Sequence, residues 1–315
     1  MAKSGSTEHD LSEGTFEVEG KQLALSNLDK VLYPSTGTTK RDVLTYYRDA
    51  APALLPHLRG RPLTMKRYPD GVEGAHFYEK RCPPWRPDWI TTAAVWSDRK
   101  QRDIDYCVID DLPTLLWAAN LADLELHTML ARSDDLDVPT MMVFDLDPGQ
   151  GMDLGDCAVV ASQLGDALAE LGLTTLVKAS GSNGLHLHVP LNTDVTYERT
   201  KPFAKAIARR MEQDNGDRVV SRMTRSARKG RVLIDWSQNT THKSTVVPFS
   251  LRARQRPTVA VPVTSQEVHA VADGHRQPEH LLWDAWTVLA RLDERAELAQ
   301  PLLTLQQHLP ESTEP

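Results

Sequence analysis

Residues 140–149, TMMVFDLDPG, set an apolar run of strand length against two aspartates and a Pro-Gly turn. Side chains at i and i+2 of a strand share a face, so Asp145 and Asp147 converge on one point at the strand's end. Working outward, Asp153 to Leu171 has helical periodicity with Gly172 as its stop signal. Leu173 to Lys178 reads as a second strand, Gly181 to Gly184 as a turn, and Leu185 to Pro190 as a third strand. Tyr197 to Gln213 reads as a basic helix, and VLIDW at 232–236 as a strand after a long basic connection. The order β-α-β-β-α-β predicts an α+β, ferredoxin-like core in which the first strand lies between the third and the fourth. Asp145, His186 and Asp235 then fall on three neighbouring strands.

The flanks are less regular. Upstream, Asp42 to Leu58 has helical spacing with Pro52 interrupting it, and Leu112 to Leu130 reads as another helix. Between them, Arg67 to Trp89 is rich in Pro, Gly and aromatics, the composition of irregular structure. Downstream, Glu279 to His308 reads as one or two amphipathic helices broken near Pro301, with a packing role. The division expected is a loose leader at 1–16, an N-terminal module at 17–133, a core at 134–270, and C-terminal helices and tail at 271–315.

The 315 residues are 40% hydrophobic and 25% charged, enough for a core and against wholesale disorder. The net charge of −7 hides a segregation: residues 199–256 hold 15 Lys and Arg against 4 Asp and Glu, a local +11 that leaves −18 on the rest. A basic block in an acidic chain is the footprint of a polyanionic partner. Cys82, Cys107 and Cys157 lie far apart without a Cys-x-x-Cys pair, which argues against a disulfide framework or zinc ribbon and for a reduced protein. No signal peptide and no apolar run of about 18 residues is present, so a soluble, cytoplasmic protein with no membrane partner is expected.

Two adjacent carboxylates repel unless a positive charge lies between them, and a divalent cation commonly supplies it. Asp235, also in an apolar strand, would give a third oxygen ligand, and three carboxylates can bridge two ions. The plainer reading is a strand end whose aspartates cap the next turn. A phosphatase of the haloacid dehalogenase type also places Asp-x-Asp after an apolar strand, but expects Thr or Val where Gly149 stands. In SGSNGLH at 180–186, small residues let backbone N–H groups approach phosphate oxygens, Ser180 can donate a hydroxyl, and His186 can donate a ring N–H. A plain hairpin with a core histidine, or a His186-x-His188 zinc site, is the alternative. The loop lacks the Walker A ending and the Rossmann spacing.

Taken together, VFDLDPG, SGSNGLHLHVPL and VLIDWSQN resemble the three signature motifs of the archaeo-eukaryotic primase superfamily, most closely the polymerase domain of bacterial ligase D. NLDKVLYPSTGTTK, FYEK at 77–80 and SLRARQRPTVAVP at 250–262 add to the resemblance, which covers roughly residues 18–300. It implies that Asp145, Asp147 and Asp235 bind two Mn²⁺ or Mg²⁺ ions. Ser180 and His186 would hold a nucleoside triphosphate, with Lys243, Arg252 and Arg254 neutralising its charge. Gln238, His127 and Lys66 would lie near the nucleotide. Asn27, Lys30 and Lys40 would grip a 5′-phosphate, Phe77 or Tyr78 would stack on a template base, and Arg228 would contact template or metal site. Where relatives often carry Lys in the glycine loop this chain has Asn183, for which Lys178 or Lys243 could compensate.

The function so implied is a template-directed repair polymerase filling short gaps, preferring ribonucleotides, in end joining or excision repair. The chain carries no ligase motif, so a stand-alone enzyme working at the nucleoid with a separately encoded ATP-dependent DNA ligase, and with Ku, is expected. Primer-independent synthesis is a neighbouring activity. A non-catalytic DNA-end-binding adaptor is the alternative from another class.

Overall fold

The computed structural model describes residues 13–312. Its central sheet has six strands in the order Val219–Val220, Val232–Asp235, Met141–Pro148, Leu185–Pro190, Leu176–Ala179, Val261–Val263. The expected first strand does lie between the third and the fourth, antiparallel to both. Two additional short strands extend the sheet at its edges.

The helix Leu154–Glu170 starts at Asp153, whose side chain accepts from the Gly155 and Asp156 N–H groups, with Asp156 returning the bond in a capping box. It ends at Leu171, and Gly172 takes φ +75°. Cys157, Ala158, Ala161, Leu164 and Leu168 form its buried stripe. Each buried leucine contributes about 1.5–3 kcal/mol against the sheet. The second helix of the core, Tyr197–Asp214, buries Phe203, Ala204, Ile207 and Met211 at the same kind of spacing.

A second six-stranded sheet is ordered Thr245–Val246, Asp123–Thr128, Pro62–Arg67, Arg102–Val108, Thr92–Ser97, with Phe77–Glu79 also paired to Pro62–Arg67. Its Thr245–Val246 strand comes from the segment that follows Asp235. The chain then forms a small sheet of Leu251–Ala253, Pro257–Val259 and Trp283–Asp284, and contributes Val261–Val263 to the central sheet between the last two of these strands. The two large sheets are thereby sewn together, and the cleft between them holds the site.

Several expectations need correction. Leu112 to Leu130 is not one helix: it is the helix Leu112–Asn120, then Ala122 at φ +58°, then the strand Asp123–Thr128. The alternation of Leu124 and Leu126 with Asp123, Glu125 and His127 is the strand signal that the run of leucines masked. The helix Lys40–Leu58 runs unbroken through Pro52 and Pro56. Pro52 sits on its exposed side, while Val43, Leu44, Tyr47, Ala50, Leu54 and Leu58 are buried. That burial offsets the roughly 3 kcal/mol an interior proline costs. Glu279 to His308 is more fragmented than two helices, comprising Ala285–Ala290, Leu292–Ala299 and Pro301–Thr304 after a 3₁₀ turn and a short strand.

Cysteines are not all reduced, as their spacing suggested: Cys82 and Cys107 form a disulfide with Cα atoms 4.8 Å apart. The Cys82 N–H bond to the Asp105 carbonyl brings the loop against the strand, a neighbourhood that sequence separation hides. Of the expected leader, residues 1–12 lie outside the described residues, and Gly14–Val18 pairs with Lys21–Leu25 in a hairpin. Among the described residues, no helix is long and apolar enough to cross a membrane.

Candidate active site

Strand register builds the site. Asp145 lies opposite His186 on one side and Asp235 on the other, and His186 in turn lies opposite Lys178. Directly opposed residues share a face, so Lys178, His186, Asp145 and Asp235 form a row across four strands, with Asp147 on the same face. The glycine loop packs onto this strand: a Cβ at Gly184 would stand 2.2 Å from the Leu146 carbonyl oxygen. At Gly149 a Cβ would stand 1.7 Å from the Arg228 carbonyl oxygen, so only glycine lets the basic turn Arg225–Arg228 close over the strand's end.

A cleft of about 420 Å³ opens above the row. Asp145, Asp147, Ser180 and His186 line its central-sheet wall. His127, Tyr78, Arg252 and Arg254 line the facing side, and Gln238 and Arg228 also belong to the lining. Ten residues predicted from the sequence thus meet in one place. Asp235, Lys243 and Lys66 stand behind or beside the lining. Lys243 is exposed on the neighbouring loop.

Asp145 is raised to about 6, first by burial, against the pull of Lys178 and Arg252. Asp147 is also raised to about 6, by the protein crowding round it and then by Asp145 and Asp235, although its side chain still reaches solvent. Among the described residues no Lys or Arg forms an ion pair with either. The only partner of that kind is His186, whose Nε2 is 3.3 Å from Asp145 Oδ1. Burial, Lys178 and Arg252 depress the His186 pKa strongly, which keeps the ring neutral. Its Nδ1 is buried without a partner.

The three aspartates suit hard divalent cations by donor type and by their uncompensated charge. They are not yet gathered into a cage: among the described residues no three acidic, His or Cys groups surround one point. Asp235 accepts from Ser237 N–H and O–H and from the Gln238 amide, at 2.8, 2.6 and 3.0 Å. Those donors are neutral, so a cation could compete for the carboxylate.

The glycine loop is organised by Ser180, whose Oγ accepts from the N–H groups of Ser182 and Gly184 at 3.2 and 3.3 Å. Two of the N–H groups expected to meet phosphate are therefore turned inward. Lys178 does not compensate for Asn183: it is 1% exposed, and its ammonium donates to the Val246 carbonyl of the second sheet. Arg252 donates to the Ser180 carbonyl, and its Nε lies 3.2 Å from Glu125 Oε2. Lys66 and His127 also meet Glu125, at 3.1 and 3.2 Å. Glu125 is not among the candidates the sequence offers, because a helix over Leu112 to Leu130 gives it no place at the site.

Tyr78 and Phe77 are 59% and 44% exposed, with Lys66 over the first ring and Arg67 over the second. As neighbours on a strand they face opposite ways, and only Tyr78 lines the cleft. Asn27, Lys30 and Lys40 form a separate group. The Lys40 N–H donates to the Lys30 carbonyl, the Lys30 N–H donates to the Asn27 carbonyl, and Asn27 holds φ +55°. The Lys30 ammonium pairs with exposed Asp70 at 3.0 Å. The Lys40 ammonium is buried on the Ser26 carbonyl and lowered to about 8 by that burial.

Comparison with known proteins gives a consistent result. The family described as LigD, primase-polymerase domain, matches residues 39–299. The chain is 40% identical over 284 residues to the multifunctional non-homologous end joining protein LigD of Mycolicibacterium smegmatis, spanning 90% of this chain and 36% of that protein. It is 43% identical over 256 residues to the multifunctional non-homologous end joining DNA repair protein LigD of Mycobacterium tuberculosis, spanning 79% of this chain and 34% of that protein. The solved polymerase domain from Mycobacterium tuberculosis ligase D in complex with DNA superposes with a TM-score of 0.82 at 38% identity, covering 90% of this chain and 99% of that one. The chain therefore spans about a third of the length of these curated relatives and nearly all of the polymerase domain. On the motifs, the sheet order and these matches, the chain belongs to the LigD primase-polymerase domain family.

Proposed function

We propose that the protein is a template-directed nucleotidyltransferase that fills short gaps at broken or excised DNA, with a preference for ribonucleotides. The observation that carries this is the cleft itself: Asp145 and Asp147, with no Lys or Arg paired to them, face Arg252, Arg254 and His127 across a space of about 420 Å³. A triphosphate is the ligand whose charge the second set answers, and a primer terminus is what the first set would serve.

In the reaction, a primer 3′-hydroxyl oxygen attacks the α-phosphorus, forms a phosphodiester and releases pyrophosphate. Arg252 and Arg254 hold the phosphates, with Lys243 at the rim. Ser180 offers its hydroxyl proton, and neutral His186 offers a ring N–H, to the same group. His127 and Gln238 bound the sugar and base, Tyr78 stacks with the template, and Arg228 closes the end of the cleft. Asp145, Asp147 and Asp235 would hold two Mn²⁺ or Mg²⁺ ions, which when bound acidify the primer hydroxyl and neutralise phosphate charge.

The DNA reading is supported by the ligase D polymerase domain solved with DNA. Asn27, Lys30 and Lys40 would recognise a downstream 5′-phosphate, by ammonium groups and backbone held at a tight turn. A DNA ligase and Ku, acting at the nucleoid in the cytoplasm, are the partners this activity calls for, since a filled gap still needs sealing. The test is a labelled primer on gapped duplex with Mn²⁺ and each ribo- or deoxynucleotide. Template-matched addition of one or a few nucleotides is expected. A mobility shift with no extension under any condition would instead mean a DNA-end-binding adaptor.

A further inference from the structure

Glu125 lies in the strand Asp123–Thr128 with its side chain only 3% exposed, behind the cleft wall and outside its lining. Four hydrogen-bond donors and the Arg252 guanidinium converge on it. Oε1 accepts from Lys66 Nζ at 3.1 Å, Tyr68 O–H at 3.2 Å and the Ala253 N–H at 3.2 Å. Oε2 lies 3.2 Å from both His127 Nε2 and Arg252 Nε. Burial works against its charge, yet His127, Arg252 and Lys66 hold the carboxyl well below the ordinary range. A carboxylate has about four lone-pair sites, so this one has no capacity left for a ligand.

Three of these groups bear on the cleft. His127 and Arg252 line it directly. Lys66 stands 5.5 Å from the Tyr78 ring centroid and is paired in register with that residue, so its position sets the Tyr78 side of the opening. These groups come from three separate stretches of chain, at 66–78, 125–127 and 252–253. Arg252 and Lys66 are long side chains that lose much rotamer freedom when fixed. A single buried anion that fixes both before the nucleotide arrives removes that ordering cost from binding.

Resting on the nucleotidyltransferase reading above, we infer that Glu125 is the positioning residue of the nucleotide pocket, acting through Arg252, His127 and Lys66 without touching the nucleotide. Its sign is distinctive. If Glu125 were only a counterweight, deleting its charge would leave the pocket more positive and tighten the grip on an anionic triphosphate. If it sets geometry, the same deletion loosens the grip.

The experiment is steady-state extension of a gapped duplex by wild type and Glu125→Gln, with thermal unfolding and gapped-duplex affinity measured on both. KM for the nucleotide is expected to rise about tenfold or more, because a charge-assisted hydrogen bond contributes about 1.5–3 kcal/mol. The kcat is expected to change by less than about threefold, the pattern of lost ground-state binding. Gapped-duplex affinity should stay within about threefold. In the Arg252→Ala background, adding Glu125→Gln should raise KM by less than about threefold, since partners in one network do not add.

A folded Glu125→Gln protein whose KM is unchanged or lower overturns the inference, as does a fully multiplicative double mutant. Should that variant fail to fold, Tyr68→Phe removes one of the four hydrogen-bond donors with little loss of packing. It is expected to raise KM about twofold to threefold, and an unchanged KM there also counts against the role. A wild-type protein that extends no primer and binds no nucleotide would sink the polymerase reading, whereas active wild type with an indifferent Glu125→Gln sinks only this one.

Discussion

On the central-sheet wall of the cleft, Asp145 and Asp147 have no Lys or Arg paired to them, whereas on the facing wall Lys66, His127 and Arg252 converge on Glu125. A buried charge costs several kcal/mol unless it is paired, and Glu125 and Asp145 have met that cost differently. The facing wall is satisfied from within and is already shaped. The aspartate wall is left short of positive charge, and that shortage is the reason to look there for cations and chemistry.

Removing an aspartate should have the largest effect. Asp145→Ala or Asp147→Ala is expected to lower primer extension by about 10³-fold or more, the scale of losing a principal electrostatic element. Gapped-duplex binding in a mobility shift should change little. Near wild-type extension by either variant would erase the contrast between the walls.

The second prediction moves off the cleft. Lys30→Ala combined with Lys40→Ala should abolish the preference for gaps bearing a 5′-phosphate, an expected loss of about tenfold in relative affinity for two phosphate contacts. Extension of a gap lacking that phosphate should be little altered. If the double variant still discriminates between the two substrates, the phosphate grip lies elsewhere.

A third effect concerns proton linkage in metal-free protein. Asp145 has a folded pKa of about 6, above its ordinary value near 3.9, so the folded state takes up a proton the unfolded state would not. Its stabilising contribution is complete below about pH 4 and is lost as the pH rises through 6. Asp145→Asn should therefore stabilise the chelated protein by about 2 kcal/mol at pH 7–8 and by close to nothing near pH 4. Urea unfolding with chelator at the two pH values checks this, and a gain independent of pH would place the cost of Asp145 outside its charge.

The smallest effect is structural. Asp153→Ala removes the cap of the helix Leu154–Glu170 and should cost about 1 kcal/mol of stability with unchanged KM. A shift in KM instead would mean that this helix start communicates with the aspartate wall.

The two walls also differed in how far the sequence disclosed them. Strand periodicity and motif spacing gave the central sheet, its strand order and the juxtaposition of Asp145, His186 and Asp235. Alternation of apolar and polar residues at period 2 is a local signal, and the β-α-β-β-α-β order restricts the pairing. The facing wall was harder to read. Asp123–Thr128 was hidden in a leucine-rich run that also fits a helix, and Glu125 was hidden with it. The pairing of Thr245–Val246 with that strand is long-range, and so is the contact of Cys82 with Cys107; neither leaves a periodic trace. The roles of Asn27, Lys30 and Lys40 came from the resemblance alone, because single lysines carry no periodic pattern.

The strand Thr245–Val246 has a mechanical consequence. The chain leaves one sheet after Asp235, adds a rung to the other, and returns at Val261–Val263, while Lys178 of the first sheet donates to the Val246 carbonyl of the second. Swinging the walls apart like jaws would tear backbone ladder bonds on both sides of this stitch. The separation of the two walls is thus tied to the span of chain from Asp235 to Val261.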